Sequence, residues 1–342
     1  MLDYMIPHNR PTLGKEEEDA ALRVIRSGQL SQEKEVRSFE DEFCEFMKLP
    51  KGHAAALSSG SASLYLALWS LNAKGKNILF PSYACSALGN AVKMVDGNEI
   101  IIDNEKNSIN LDLEKAKNLK HDIEIVPHMF GIPNNLSKSK SGYIIEDCAQ
   151  SLGAKINDNY VGTQGTIGIF SFYVTKMMTS GGQGGMIISK NKEIIEKVKD
   201  YREFDFRADN EKRFNFQMTE IQAAIGREQL KKLPEFLEKR NKIFMKYKNE
   251  GLDLLDGADE QSKTIPARYR AIVKTDNPKK MIESLKNVGV KAIVPIEKWE
   301  LQGQESNFPN SMEICSKTVS LPIYPSLTNN ELDIILSGII LK

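Results

Sequence analysis

The sequence predicts an α/β protein, with a large domain on a mostly parallel central sheet and a smaller C-terminal α+β lobe. Between about residues 55 and 190, short apolar runs alternate with helical periodicities, the succession that builds a parallel sheet with crossover helices. Those runs are continuous rather than alternating, as strands covered on both faces require. The length of 342 residues, at about 150 per domain, suggests two units. We place the large, ligand-binding domain over 1–235 and the small lobe over 236–342. The first roughly 25 residues are expected to pack on the small lobe.

The elements follow in order. Leu64, Ala67, Leu68 and Leu71 recur at helical spacing, and 77–80 (NILF) reads as a strand ended by Pro81. Ala84, Ala87, Leu88, Ala91, Val92 and Val95 mark a second amphipathic helix before a strand at 99–103. Further strands are expected at 123–126, 143–145, 167–172 and 186–188. The pattern then turns helical over 190–201, 217–233 and 234–248, with Pro234 opening the third helix. In the small lobe 271–273 is a candidate strand. Asn277 is a good N-cap with Pro278 at the first helical position, and Gly289 is a suitable stop. Thr328 and Glu331 form a capping-box pattern ahead of Leu332, Ile335, Leu336 and Ile339 on one face.

Composition narrows the function. Lys+Arg and Asp+Glu are both 46, so the net charge is zero. That balance argues against a nucleic-acid or polybasic membrane binder. No apolar run approaches the roughly 18 residues of a spanning helix. The N-terminus is acidic by residue 20 and lacks an apolar stretch behind a basic end, which predicts no signal peptide and a cytoplasmic location. The four cysteines include no CxxC pair, so neither a disulfide framework nor a metal site is expected.

Ligands of open α/β sheets bind beyond the carboxyl ends of the strands, so reactive side chains at those ends are the candidates. In 143–150 (YIIEDCAQ) two acids fall where a strand ends. Asp147 could hold a cationic ring nitrogen or a metal, or simply cap the next segment. The run 58–62 (SSGSA) precedes a helix, and small hydroxyl residues there offer N–H groups and a dipole to an anion such as phosphate. An ordinary cap would look the same, and neither the Walker A nor the GxGxxG spacing is present. In 171–185 (SFYVTKMMTSGGQGG) a lysine follows an apolar strand and precedes four glycines in five residues. Lys176 suits an amine nucleophile, or a lysine reaching out of a turn into solvent. A phosphate cradle, an acid for a ring nitrogen and a lysine nucleophile are together what a pyridoxal phosphate site needs.

These segments resemble the DegT/DnrJ/EryC1/StrS family of sugar aminotransferases. The likeness runs in order through Ile6-Pro-x-x-x-Pro11, SGQLSQ at 27–32, Phe39-Glu40, SSGSASL at 58–64, PSY at 81–83 and PHMFG at 127–131. It continues through EDCAQ at 146–150, SFYVTK at 171–176, GGQGG at 181–185, NFQMTEIQAA at 215–224 and SLP at 320–322. It implies an aspartate-aminotransferase-like, fold-type I enzyme using pyridoxal 5'-phosphate. By position, Lys176 would attach to the cofactor and shuttle a proton, and Asp147 would pair with the pyridine nitrogen. At an effective dielectric near 20, charges about 4 Å apart attract by roughly 4 kcal/mol, enough to keep that ring protonated. Gln150 would lie by the ring, while Ser61, the Ala62 amide and Ser171 would hold the phosphate. Asn215 would reach the phosphate of the neighbouring subunit, which implies a homodimer with shared sites.

Some positions depart from the family's pattern. Cys85 stands where an aromatic residue often stacks on the ring, unless Tyr83 stacks through a shifted register. Gln183, Gln217 and Glu33 replace a usual acid, arginine and glycine. His128 receives no chemistry.

The resemblance implies transfer of an amino group, from glutamate in most of the family, to a keto sugar, usually nucleotide-linked, for polysaccharide, glycan or natural-product biosynthesis. A sugar dehydratase of the same family typically carries histidine in place of Lys176. A non-catalytic protein binding cofactor or sugar nucleotide for regulation would be favoured by loss of Lys176 or Asp147, and both are present.

Overall fold

A computed structural model describes residues 5–340. Two helices, α1 (Lys15–Ser27) and α2 (Lys34–Phe46), precede β1 (Ala54–Leu57), α3 (Gly60–Ser70), β2 (Asn77–Pro81), α4 (Ala87–Met94) and β3 (Asn98–Ile102). Next come α5 (Leu113–Ala116), β4 (Ile123–Pro127), β5 (Tyr143–Asp147) and a small hairpin of β6 (Lys155–Ile156) and β7 (Asn159–Tyr160). Then follow β8 (Ile167–Ser171), β9 (Gly185–Ile188), α6 (Lys192–Arg202) and α7 (Glu220–Asn249). The chain finishes with β10 (Ala271–Lys274), α8 (Pro278–Asn287), α9 (Pro309–Lys317), β11 (Thr318–Leu321) and α10 (Asn329–Ile340).

Among the described residues the main sheet has seven strands in the order β1-β9-β8-β5-β4-β2-β3. Only β9 runs against its neighbours, β1 and β8; the other pairings are parallel. Every residue of β1, β4 and β9 is buried, which explains their unbroken apolar runs. On one face Phe39 and Phe43 of α2 meet Phe170 of β8 and the adjoining Phe172, in three ring pairs with centroids 5.0 to 5.8 Å apart. The other face is covered by Leu64, Leu66, Ala67 and Leu68 of α3 and by Leu88, Ala91 and Val92 of α4. Each fully buried Leu or Phe contributes about 1.5–3 kcal/mol, so this layer fixes where α3 begins. The strand read as ending before Pro81 includes it, since the proline ring leaves its carbonyl side free for the ladder.

The two helices expected on either side of Pro234 are one helix of 30 residues, with the proline inside it. Pro234 is exposed while Leu233 and Phe236 are buried. Packing of those side chains overrides the local preference to break. Leu230 and Leu233 join the core beneath the main sheet, whereas Ile243, Phe244 and Tyr247 join Val273, Val319 and Leu321 in a separate core around β10 and β11. Residues 6–10 cross this second layer. Ile6 exchanges backbone bonds with Gly289 and Lys291 at 2.8 and 3.0 Å, and Arg10 pairs with Glu331 at 3.1 Å. The caps read from the sequence form here: Asn277 accepts from the Lys280 amide, and Thr328 and Glu331 bond reciprocally.

Candidate active site

The parallel register brings Pro127, Asp147 and Ile169 level at the carboxyl ends of β4, β5 and β8. All three line a cleft of about 330 Å³. α3 points its N-terminus into the same cleft through Ser59, Gly60 and Ser61. Ser59 caps the helix by accepting from the Ala62 amide at 3.1 Å. The amides of Gly60 and Ser61, in the first turn, have no acceptor within the helix and remain available to an anion. Gly60 is required by close approach, because a Cβ there would lie 2.7 Å from the Ser171 Cβ.

Lys176 follows β8 on a loop that folds back over the glycine run. Phe172 and Val174 donate to the carbonyls of Gly184 and Gly182, and Ser180 donates to that of Phe172. Gly181 and Gly182 have φ of 79° and 118°, so this return needs residues without a Cβ. Lys176 is half-buried and lines the cleft, its Nζ 5.5 Å from the centroid of the buried Tyr269 ring.

Asp147 shares the cleft, with Oδ1 accepting from the Ala149 amide at 2.9 Å. Burial pushes its carboxyl above the usual range, opposed by that amide and by the charges of Lys176 and His128. A cation placed against it would restore the charged form. Its neighbour Glu146 points the opposite way. The Glu146 Oε2 accepts from His128 Nε2 at 3.0 Å and from Gly162, while Oε1 accepts from Gln164 and Gly165. Desolvation works to raise this carboxyl, but the donors outweigh it and hold it below the usual range. His128 Nδ1 accepts from the Asn134 amide at 2.9 Å, which assigns the proton to Nε2. Glu146, His128 and Cys148 bring ligand-type atoms within 4.8 Å, yet each carboxylate oxygen already accepts two bonds and both ring nitrogens are engaged. This cluster is a hydrogen-bonded brace under the loop that starts at Pro127.

The structure therefore gathers Ser61, Cys85, Asp147, Gln150, Ser171 and Lys176 around one cleft. Gln150 Oε1 accepts from the Phe130 amide at 2.9 Å, supporting a residue held at φ 55°. Ala62 stands just behind, its amide taken by Ser59. Cys85 is exposed and lines the cleft, whereas Tyr83 is buried at 6.0 Å from Phe130 in an edge-on contact and is not among the lining residues. Asn215 is absent from the lining too; its Oδ1 accepts from the Gln217 amide at 3.0 Å in an exposed segment. Sequence reasoning missed Tyr173 and Met129 on the wall and Tyr269 beneath Lys176. Nothing local marks Tyr269, because it reaches Lys176 only through the packing of the second layer. His128 carried a signal only through the 127–131 segment (PHMFG) of the family resemblance.

The cleft fits a small phosphorylated aromatic cofactor by its own chemistry, with anion-binding amides at one end, a desolvated acid on the floor and an amine opposite.

Comparison with known proteins places this geometry. The profile of the DegT/DnrJ/EryC1/StrS aminotransferase family matches residues 11–339. GDP-perosamine synthase of Escherichia coli O157:H7 is 25% identical, over 95% of this chain and 95% of that protein. Among solved structures, the aminotransferase TlmJ from Streptoalloteichus hindustanus superposes with a TM-score of 0.89 at 21% identity, covering 98% of this chain and 97% of that one. Spr1654 from Streptococcus pneumoniae in its PLP form superposes with a TM-score of 0.88 at 20% identity, covering 98% of both chains.

Proposed function

The chain belongs to the DegT/DnrJ/EryC1/StrS aminotransferase family, and from that premise we propose that it is a pyridoxal phosphate-dependent enzyme. In this reading it moves an amino group from glutamate to the ketone of a nucleotide-linked keto-deoxy sugar. The observation that carries the proposal is the convergence of Lys176, Asp147 and the α3 N-terminus on one cleft. The similarity to GDP-perosamine synthase supports a sugar nucleotide as acceptor.

When bound, the cofactor supplies a carbonyl to carry the amino group and a cationic ring to take up electron density. The chain's own residues do the rest. The amides of Gly60 and Ser61, with the Ser61 and Ser171 hydroxyls, would bind the phosphate, Ala62 supporting them through its bond to Ser59. The Asp147 carboxylate would pair with the ring nitrogen, each charge stabilising the other in a desolvated setting. Gln150 would orient against the ring edge and Cys85 would flank it, its sulfur replacing an aromatic stack at little energetic loss. Lys176 would tether the cofactor between turnovers; once released by the donor's amine, its own amine would take a proton from the donor's α-carbon in the first half-reaction and deliver one to the acceptor's carbon in the second. Asn215 would serve the site of a second copy, making the enzyme a homodimer.

The test is amino transfer itself. Incubation of the holoenzyme with ¹⁵N-labelled glutamate and a panel of nucleotide-linked keto sugars should yield one labelled aminosugar by mass spectrometry. Labelling of none of them, with label leaving glutamate for another ketone, would refute the acceptor class.

A further inference from the structure

Near Lys176 stands a guanidinium whose charge the protein itself leaves unmatched. Arg270 immediately precedes β10, with its Cζ 5.3 Å from the Tyr269 ring centroid and 5.9 Å from that of Phe130. The same Tyr269 ring lies 5.5 Å from Lys176 Nζ, so both cations approach a single aromatic ring. Phe130 in turn is tied to the cleft by Gln150.

The bonding of Arg270 is one-sided. Nη1 donates to His8 Nε2 at 3.1 Å and to Ser320 Oγ at 3.4 Å. Nε is buried with no partner, and among the described residues no acceptor meets Nη2 and no carboxylate lies within 4.0 Å of the group. The Nε–Nη2 edge, the one that grips a carboxylate through two parallel bonds, thus has no protein partner among the described residues. The neighbours add no negative charge. Burial, then Arg270 and Lys291, drive the His8 imidazole down to about 3, leaving it neutral. Behind Tyr269 the buried Arg240 donates only to the carbonyls of Tyr269 and Ile323, at 3.1 and 2.7 Å. Arg270 also borders a cavity of about 50 Å³, together with His8, Asn9, Thr175, Tyr269 and Ile323. A half-buried cation without a counter-ion is costly, and an arriving anion removes that cost.

We infer that Arg270 anchors a carboxylate of the amino donor, holding the donor's amine toward Lys176. The inference rests on the aminotransferase reading above and adds a donor-specific contact to it. Arg270 would act in donor binding rather than in proton transfer, so its loss should raise the donor's half-saturation far more than it lowers the limiting rate.

The test uses the holoenzyme of wild type, Arg270→Gln and Arg270→Lys. Borohydride trapping on Lys176 reports cofactor loading, stopped-flow absorbance follows the half-reaction with L-glutamate, and calorimetry measures binding of glutarate, which has carboxylates but no amine. In Arg270→Gln the glutamate half-saturation should rise roughly 10- to 100-fold and glutarate affinity should fall in parallel, with trapping unchanged. Arg270→Lys keeps charge and packing but not the fork, and should fall between; it carries the same test if the glutamine variant fails to fold. Values within twofold of wild type in both readouts, with Lys176 still trapped, would overturn the inference. Absence of trapping in the wild type would instead bring down the aminotransferase reading, and this inference with it; the two failures appear in different proteins.

Discussion

Lys176 is the one lysine among the described residues that line the cleft. Lys176→Ala should therefore abolish transamination while leaving the unfolding midpoint near that of wild type; appreciable remaining turnover would show that another amine does the work. Asp147→Asn should retain some cofactor but lose about 100- to 1,000-fold in kcat, since an amide cannot hold a ring cation and a loss near 3–4 kcal/mol is expected. Wild-type kinetics in that variant would assign the pairing to another acid. Glu146 makes the contrasting case beside it. Its carboxyl lies below the ordinary 4.5 in the folded chain, so its contribution is complete above 4.5 and is lost as pH falls through the lowered native value. Glu146→Gln would set an amide group against backbone N–H donors and should cost about 3 kcal/mol at neutral pH. Urea titrations should show that gap narrowing in acid; a gap independent of pH would mean that charge is not what the brace uses.

At the scale of elements, the site depends on how closely α3 approaches β8. Gly60→Ala would press a methyl group into Ser171 and should destabilise by about 1–3 kcal/mol while weakening phosphate binding. Calorimetric titration with the cofactor would measure it, and unchanged affinity would place the phosphate elsewhere. These elements were legible in the sequence because burial on both faces writes strands as continuous runs, and because 58–62 and 181–185 carry residues that only a tight backbone path demands. The continuity of α7 was not legible: Pro234 is a local signal to break, and the packing of Leu233 and Phe236 that overrides it is long-range. Tyr269 and Arg270 were hidden for the same reason. They reach the neighbourhood of Lys176 only because α7 carries the second layer against the first.

For the whole molecule, the large sheet supplies the floor of the cleft, the second layer supplies Tyr269 and Arg270, and Asn215 stands outside the cleft of its own chain. If two copies share sites, mixing Lys176→Ala with Asn215→Ala under conditions of subunit exchange should restore activity. Random pairing would leave about a quarter of sites intact. Activity no higher than the average of the two parents would assign Asn215 to its own chain or to no site.

The central claim is that this cleft holds pyridoxal phosphate on Lys176 and passes an amino group through it. It is tested most directly by reducing the cofactor-loaded protein with borohydride and mapping the labelled peptide, with and without prior exposure to L-glutamate. The expected result is a visible absorption that glutamate bleaches, and a covalent label on Lys176 that glutamate prevents. A label on another lysine, or none, would contradict it.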